Sequence, residues 1–177
     1  MKTVALVMLL VSLLALPAMA YDWVVNPANG HRYTLTNTPI LQPTWVEAEA
    51  EAVSVGGHLA TIRNAAEEKW LKDTYGTDWL WIGLNDAENW GTFVWSSGES
   101  VSYTNWNSDE PSYTNGPGGE REYYVGYNIG TECGWNDFPD WYRMYGIIEL
   151  QPVPEPSSFL ALCGGVIGLL AFRRRLT

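Results

Sequence analysis

The chain has 177 residues, a formal net charge of −10 and a mean hydropathy of −0.13. Nineteen acidic and six basic side chains lie in residues 21–154, a net charge of −13, and this disfavours a nucleic-acid partner, which needs a basic surface. Those 134 residues suffice for one domain with a hydrophobic core, and with Cys133 and Cys163 the only cysteines they hold no internal disulfide.

Residues 1–20 read as a secretory signal peptide: Lys2 is the charged start, residues 4–16 are an apolar run, and Ala18-Met19-Ala20 is a small-residue cleavage site. The mature chain then begins near Tyr21, outside the cytoplasm. The alternative is a retained anchor helix, against which the short run and the cleavage site both argue. Residues 31–36 alternate as a strand does. Thr44, with Glu47 three residues on, is a capping-box pattern opening a helix over residues 45–53, and Gly56-Gly57 ends it. A second helix opens at Asn64 with Glu67 in the matching position, carries Trp70 and Leu71 inward, and stops at Tyr75-Gly76.

Residues 79–84 form a continuous apolar run bounded by polar residues, as a buried strand does. Residues 93–95 predict a short strand before the turn Ser96-Ser97-Gly98. Residues 103–120 read as loop, rich in Asn, Ser, Gly and Pro and without a period. Residues 123–128 and 146–150 complete the strands, and the order predicts an α+β domain. All ten tryptophans and all ten tyrosines lie between the two ends, and most must be core.

One irregular, acidic stretch concentrates oxygen donors: Glu110-Pro111-Ser112, then Glu122, then Trp135-Asn136-Asp137. Calcium takes six to eight oxygen ligands, and the absence of a histidine or thiol cluster argues against zinc or copper. Enzyme signatures are missing: there is no HExxH, GxSxG or Gly-rich phosphate loop. Asp109 and Glu110 are adjacent on one loop and do not flank a bond from both sides. Cys133 has acidic neighbours and no histidine near it in sequence, unlike a nucleophile.

Residues 152–157 run Pro-Val-Pro-Glu-Pro-Ser, followed by an apolar segment at 159–172 and Arg173-Arg174-Arg175. Fourteen residues give about 21 Å of helix, short of the roughly 30 Å hydrocarbon core. This predicts a transient, processed span with the arginines on the cytoplasmic side. The three parts in this order resemble a PEP-CTERM sorting signal over residues 153–177. The resemblance implies export in a Gram-negative bacterium, passage through the inner membrane, recognition by a membrane-embedded exosortase, and delivery to the cell surface or extracellular matrix. A simple C-terminal membrane anchor is the alternative.

Within residues 21–152, Trp45, the alanine-rich helix, Gly56-Gly57-His58-Leu59-Ala60-Thr61-Ile62, Trp81-Ile82-Gly83-Leu84, Gly91-Thr92-Phe93-Val94-Trp95, Asn105-Trp106, Glu110-Pro111-Ser112 and Trp135-Asn136-Asp137 follow one another. In that order they resemble a C-type lectin-like domain. The resemblance implies two helices flanking small antiparallel sheets with a long ligand-binding loop. It makes Trp81, Ile82 and Leu84 core, and Trp95 and Trp135 belong there too. It also implies that Glu110, Ser112, Glu122, Asn136 and Asp137 hold calcium and bind sugar, with a cis peptide before Pro111. Asp137 counted twice gives about six protein oxygens, leaving two positions for neighbouring sugar hydroxyls.

Three departures from the family pattern stand out. Ser112 replaces the usual Asn or Asp; Tyr124, Pro139 and Ile148 stand where cysteines often fall; and Asp86 matches one ligand of an auxiliary calcium site while Trp90 stands at a second. His58 lies at a helix exit among apolar residues and reads as structural. The expected function is a calcium-dependent carbohydrate-binding module for exopolysaccharide or other glycans, and not an enzyme. The alternative is a calcium-independent protein-interaction or structural matrix domain with a vestigial site.

Overall fold

The computed structural model describes residues 20–38, 41–76, 78–113, 118–130 and 133–152. The expected signal peptide up to residue 19 and the sorting tail from residue 153 lie outside the described residues. In chain order the elements are β1 (Val24–Val25), β2 (Arg32–Leu35), α1 (Trp45–Ser54), β3 (His58–Leu59), α2 (Ala65–Tyr75), β4 (Leu80–Asn85), β5 (Val94–Trp95), β6 (Tyr124–Ile129), β7 (Gly134–Phe138) and β8 (Ile147–Leu150). They form two antiparallel four-stranded sheets, ordered β1-β2-β8-β3 and β5-β4-β6-β7. This is the expected α+β arrangement.

Both helices start where their capping residues are. Thr44 accepts the Glu47 N–H through its hydroxyl, while Glu47 accepts the Thr44 N–H at 2.8 Å, so the capping box on α1 is complete. Asn64 caps α2 by accepting the Glu67 N–H at 2.9 Å. Glu67 itself turns elsewhere: its carboxylate accepts the Arg63 N–H and the Tyr33 hydroxyl, tying α2 to β2.

β4 is buried at every residue and divides the core in two. The period of two puts Leu80, Ile82 and Leu84 with Trp95, Tyr127 and Trp135, and turns Trp81 toward Trp45, Phe138 and Met144. Both buried indoles on that second side donate hydrogen bonds, Trp45 to the Ile82 carbonyl at 2.7 Å and Trp81 to the Pro43 carbonyl at 3.2 Å. The positions where the family pattern often has cysteines are packed instead. Tyr124 stacks on Trp45 with centroids 4.7 Å apart, and Ile148 is fully buried between β2 and β3.

Strands β1, β3 and β7 were not expected from the sequence. Two residues are too few to show a period, which accounts for β1 and β3. In β7, Gly134, Asn136 and Asp137 are poor strand formers, and pairing with β6 overrides that preference. The acidic stretch is therefore not irregular throughout: Asn136 and Asp137 sit on a regular strand. Nor is the region from residue 103 loop alone. Trp106 bridges Trp135 in parallel, with Trp135 N–H donating to the Asn105 carbonyl at 2.7 Å and Asn107 N–H to the Trp135 carbonyl at 2.9 Å.

Candidate functional site

Asp137 follows Trp135 on β7, and the two side chains share one face of the strand. Glu68 on α2 secures this arrangement from below. Its carboxylate, only 3% exposed, accepts the Trp135 indole N–H, the Asn105 amide and the Tyr103 hydroxyl, and pairs with Lys72 at 3.0 Å. The start of the long loop is thus clamped to β7 before the chain reaches Glu110.

The loop then passes over Asp137. The Glu110–Pro111 peptide is cis, as the family pattern implies. Asp137 is fully buried and accepts two backbone N–H groups, from Ser112 on Oδ1 and Tyr113 on Oδ2, each at 3.0 Å. Ser112 Oγ donates to Glu122 Oε2 at 2.7 Å, and Glu122 N–H donates back to the Tyr113 carbonyl at 3.1 Å. Asn136 Nδ2 donates to the Asp137 carbonyl at 2.8 Å. Bonds therefore link Ser112 directly to Glu122 and Asp137, and Asp137 to Asn136.

Glu110 completes the group electrostatically. Its carboxyl is pushed up to about 7, first by burial and then by its hydrogen bond to Asp137 and that group's charge, with donation from Ser112 opposing. Glu110 Oε2 is buried without a hydrogen-bond partner. Asp86, at the end of β4, is also fully buried. Burial raises its carboxyl, the Gly91 N–H at 2.8 Å lowers it, and the charge of Asp137 raises it further. Its Oδ1 has no hydrogen-bond partner either.

Glu110 and Asp86 both feel the charge of Asp137 and each carries an unmet buried acceptor, an arrangement that suits a hard cation. The surrounding donors are all oxygen: a hydroxyl, an amide and backbone carbonyls. Among the described residues, no three His, Cys, Asp or Glu side chains are gathered closely enough to hold a metal ion by themselves. The donor set fits calcium only if Ser112 and Asn136 contribute. His58 is held by Glu49, with Nδ1 at 2.6 Å from Oε1, and takes no part.

At the auxiliary position of the family pattern, where the sequence already argues against a second calcium, the Trp90 side chain offers no oxygen. Its ring is 53% exposed, lies under the Arg121 guanidinium at 4.7 Å, and meets Tyr113 edge-on at 6.1 Å. A stacked cation stands at the position of a second metal's donor. Sequence reasoning missed Tyr113, Arg121 and Glu68. Only Tyr113 had a signal, its place directly after Pro111-Ser112.

The raised Glu110 carboxyl has a consequence for metal-free protein. A carboxyl whose folded value lies above its ordinary one favours the fold while protonated, so its contribution is full below about 4.5 and declines as pH rises toward 7. Relative to Glu110→Gln, the wild type should lose thermal stability between those values in chelator. Equal pH dependence of the two melting temperatures would contradict this.

Comparison with known proteins adds to this geometry. The lectin C-type domain profile matches residues 42–137, and the PEP-CTERM protein-sorting motif matches residues 152–175. The chain is 36% identical over 93 residues to lectin BRA-3 of Megabalanus rosa, covering 51% of this chain and 54% of that protein, about half its length. It is 34% identical over 129 residues to C-type lectin BfL-2 of Bungarus fasciatus, covering 67% of this chain and 74% of that one. Among solved structures, the herring type II antifreeze protein superposes with a TM-score of 0.64 at 25% identity, covering 75% of this chain and 98% of that chain.

Proposed function

Because this chain belongs to the C-type lectin family and carries a PEP-CTERM sorting motif, we propose that residues 21–152 form a calcium-dependent carbohydrate-binding module, exported for display at the cell surface or in the extracellular matrix. The family is one of non-enzymatic binding proteins, and the chain is no enzyme. The observation that carries calcium dependence is the crowding of Glu110 against Asp137, with Glu110 Oε2 buried and partnerless.

Glu110, Ser112, Glu122, Asn136 and Asp137 are the residues that would hold the ion and the sugar. Bound calcium would supply coordination positions for two neighbouring saccharide hydroxyls. The protein's part is orientation. The Ser112 and Tyr113 N–H groups fix the Asp137 carboxylate, and the Ser112 hydroxyl fixes Glu122. Glu110 would give up the proton that burial and its neighbour Asp137 favour. Ser112, with one oxygen and no amide nitrogen, can accept from or donate to a sugar hydroxyl but cannot do both through separate atoms.

The sorting motif supports export, with an exosortase as the processing partner and the inner membrane as a station on the way. Among the described residues no helix is long and apolar enough to cross a membrane. One site of this kind binds a single sugar weakly, so adhesion to exopolysaccharide depends on many displayed copies.

A glycan array probed with the purified chain in calcium and in chelator tests the proposal. Binding should appear in calcium and vanish in chelator. Array binding that persists unchanged in chelator defeats the calcium-dependent reading and favours a calcium-independent matrix domain.

A further inference from the structure

A groove of about 330 Å³ opens beside the start of β4, away from the acidic site. Its walls include Trp79, Tyr142 and Tyr145, and its polar lining includes Gln42, Asp78 and Arg143. Trp79 is 45% exposed and Tyr145 36%. We propose that this groove is a second, calcium-independent saccharide-binding site, selective for neutral pyranose chains whose ring substituents are equatorial.

Two of the wall rings, Trp79 and Tyr142, are packed against other aromatic side chains, as a shallow sugar site needs. Trp79 lies against Phe138 with centroids 6.5 Å apart, Phe138 against Tyr142 at 4.6 Å, and Tyr142 edge-on to the buried Trp81 at 6.3 Å. Met144 N–H is bonded to the Pro43 carbonyl at 3.1 Å, and Trp81 N–H to the Tyr145 carbonyl at 2.8 Å. Little side-chain entropy remains to be lost when a ligand stacks on these rings.

The chemistry selects the ligand. A pyranose with equatorial substituents presents its axial C–H groups as two apolar faces and its hydroxyls around the edge. The apolar face matches a half-exposed aromatic ring, and the edge matches a polar rim. Asp78 accepts, Arg143 donates and Gln42 does both. Among the described residues, Arg143 donates through Nη1 to the Gln42 carbonyl at 3.0 Å and to Glu47 at 2.9 Å, which holds its guanidinium at the groove. Arg143 is balanced by Glu47 at 2.9 Å and Asp78 adds a further negative charge, so the rim has no excess of positive charge to attract an anionic chain.

This site is distinct from the acidic one. Trp79 precedes β4 and Asp86 follows it, and six strand residues separate them by about 20 Å. Asp137 and Phe138 are neighbours on β7 and face opposite sides of the strand. One sugar ring cannot reach both. The inference stands apart from the calcium-dependent reading, because it concerns binding in the absence of calcium.

The test uses the full chain in chelator with cellotetraose and chitotetraose as probes, read by titration calorimetry and by NMR saturation transfer. At least one probe should bind, Trp79→Ala should weaken it about tenfold, and Trp79→Phe should recover part of the loss. The circular-dichroism spectrum of Trp79→Ala should match the wild type. No chelator-resistant binding of either probe overturns the proposal. So does binding that Trp79→Ala leaves unchanged, or self-association through the groove with no saccharide bound.

Discussion

Asp137→Asn should weaken calcium binding by about 100-fold or more while leaving a folded domain. The substitution keeps volume and one acceptor oxygen, so Ser112 N–H at Oδ1 retains a partner, but the charge is gone and an amide NH₂ now faces the Tyr113 N–H. That loss costs about 1–3 kcal/mol, tolerable for a domain of this size. Charge decides the metal effect. Of the five candidate ligands only Glu110, Glu122 and Asp137 can be anionic, and Asp137 is the one whose carboxylate joins the loop to β7. Titration calorimetry in calcium with near-ultraviolet circular dichroism checks both halves. Undiminished calcium affinity in a folded Asp137→Asn protein would place the site elsewhere.

The largest expected loss of stability comes from Glu68→Ala. The carboxylate is buried and gathers the Trp135 indole, the Asn105 amide, the Tyr103 hydroxyl and the Lys72 ammonium. Truncation leaves the Lys72 ammonium with the Cys133 carbonyl but no carboxylate, and three donors without their acceptor, at a cost of about 3–5 kcal/mol. For a domain of this length that is a fall in melting temperature of roughly 10–15 °C. Because Trp135 adjoins Asn136, weaker calcium binding should accompany it. A melting temperature within about 2 °C of wild type would mean that the clamp is replaced by water or by repacking.

The fold class was legible because its strongest signals are local. The Thr44–Glu47 box and the Asn64 cap fix where the helices start, and the apolar run of β4 needs no long-range context to read as buried. The acid group was legible as chemistry but only partly as geometry. Ser112 and Glu122 lie ten residues apart and Ser112 and Asp137 twenty-five, so their hydrogen bonds depend on how β6 and β7 pair. The burial of Glu67 and Glu68 was hidden for a related reason. A glutamate on a helix face reads as solvated, and its partners Tyr33, Tyr103 and Trp135 come from distant segments. Arg121 was hidden too, since its ring partner Trp90 lies thirty-one residues earlier.

β8 has a mechanical meaning beyond its place in the core. It is the last strand before the sorting motif, and it lies between β2 and β3, with four residues in register with β2 and two with β3. The candidate site residues belong to the other sheet and to the loop laid over it. A tether pulling from the C-terminal end would therefore load an interior strand held on both sides, not a peelable edge. Force applied at the C-terminal end would have to slide β8 out from between its neighbours before it disturbed Asp137.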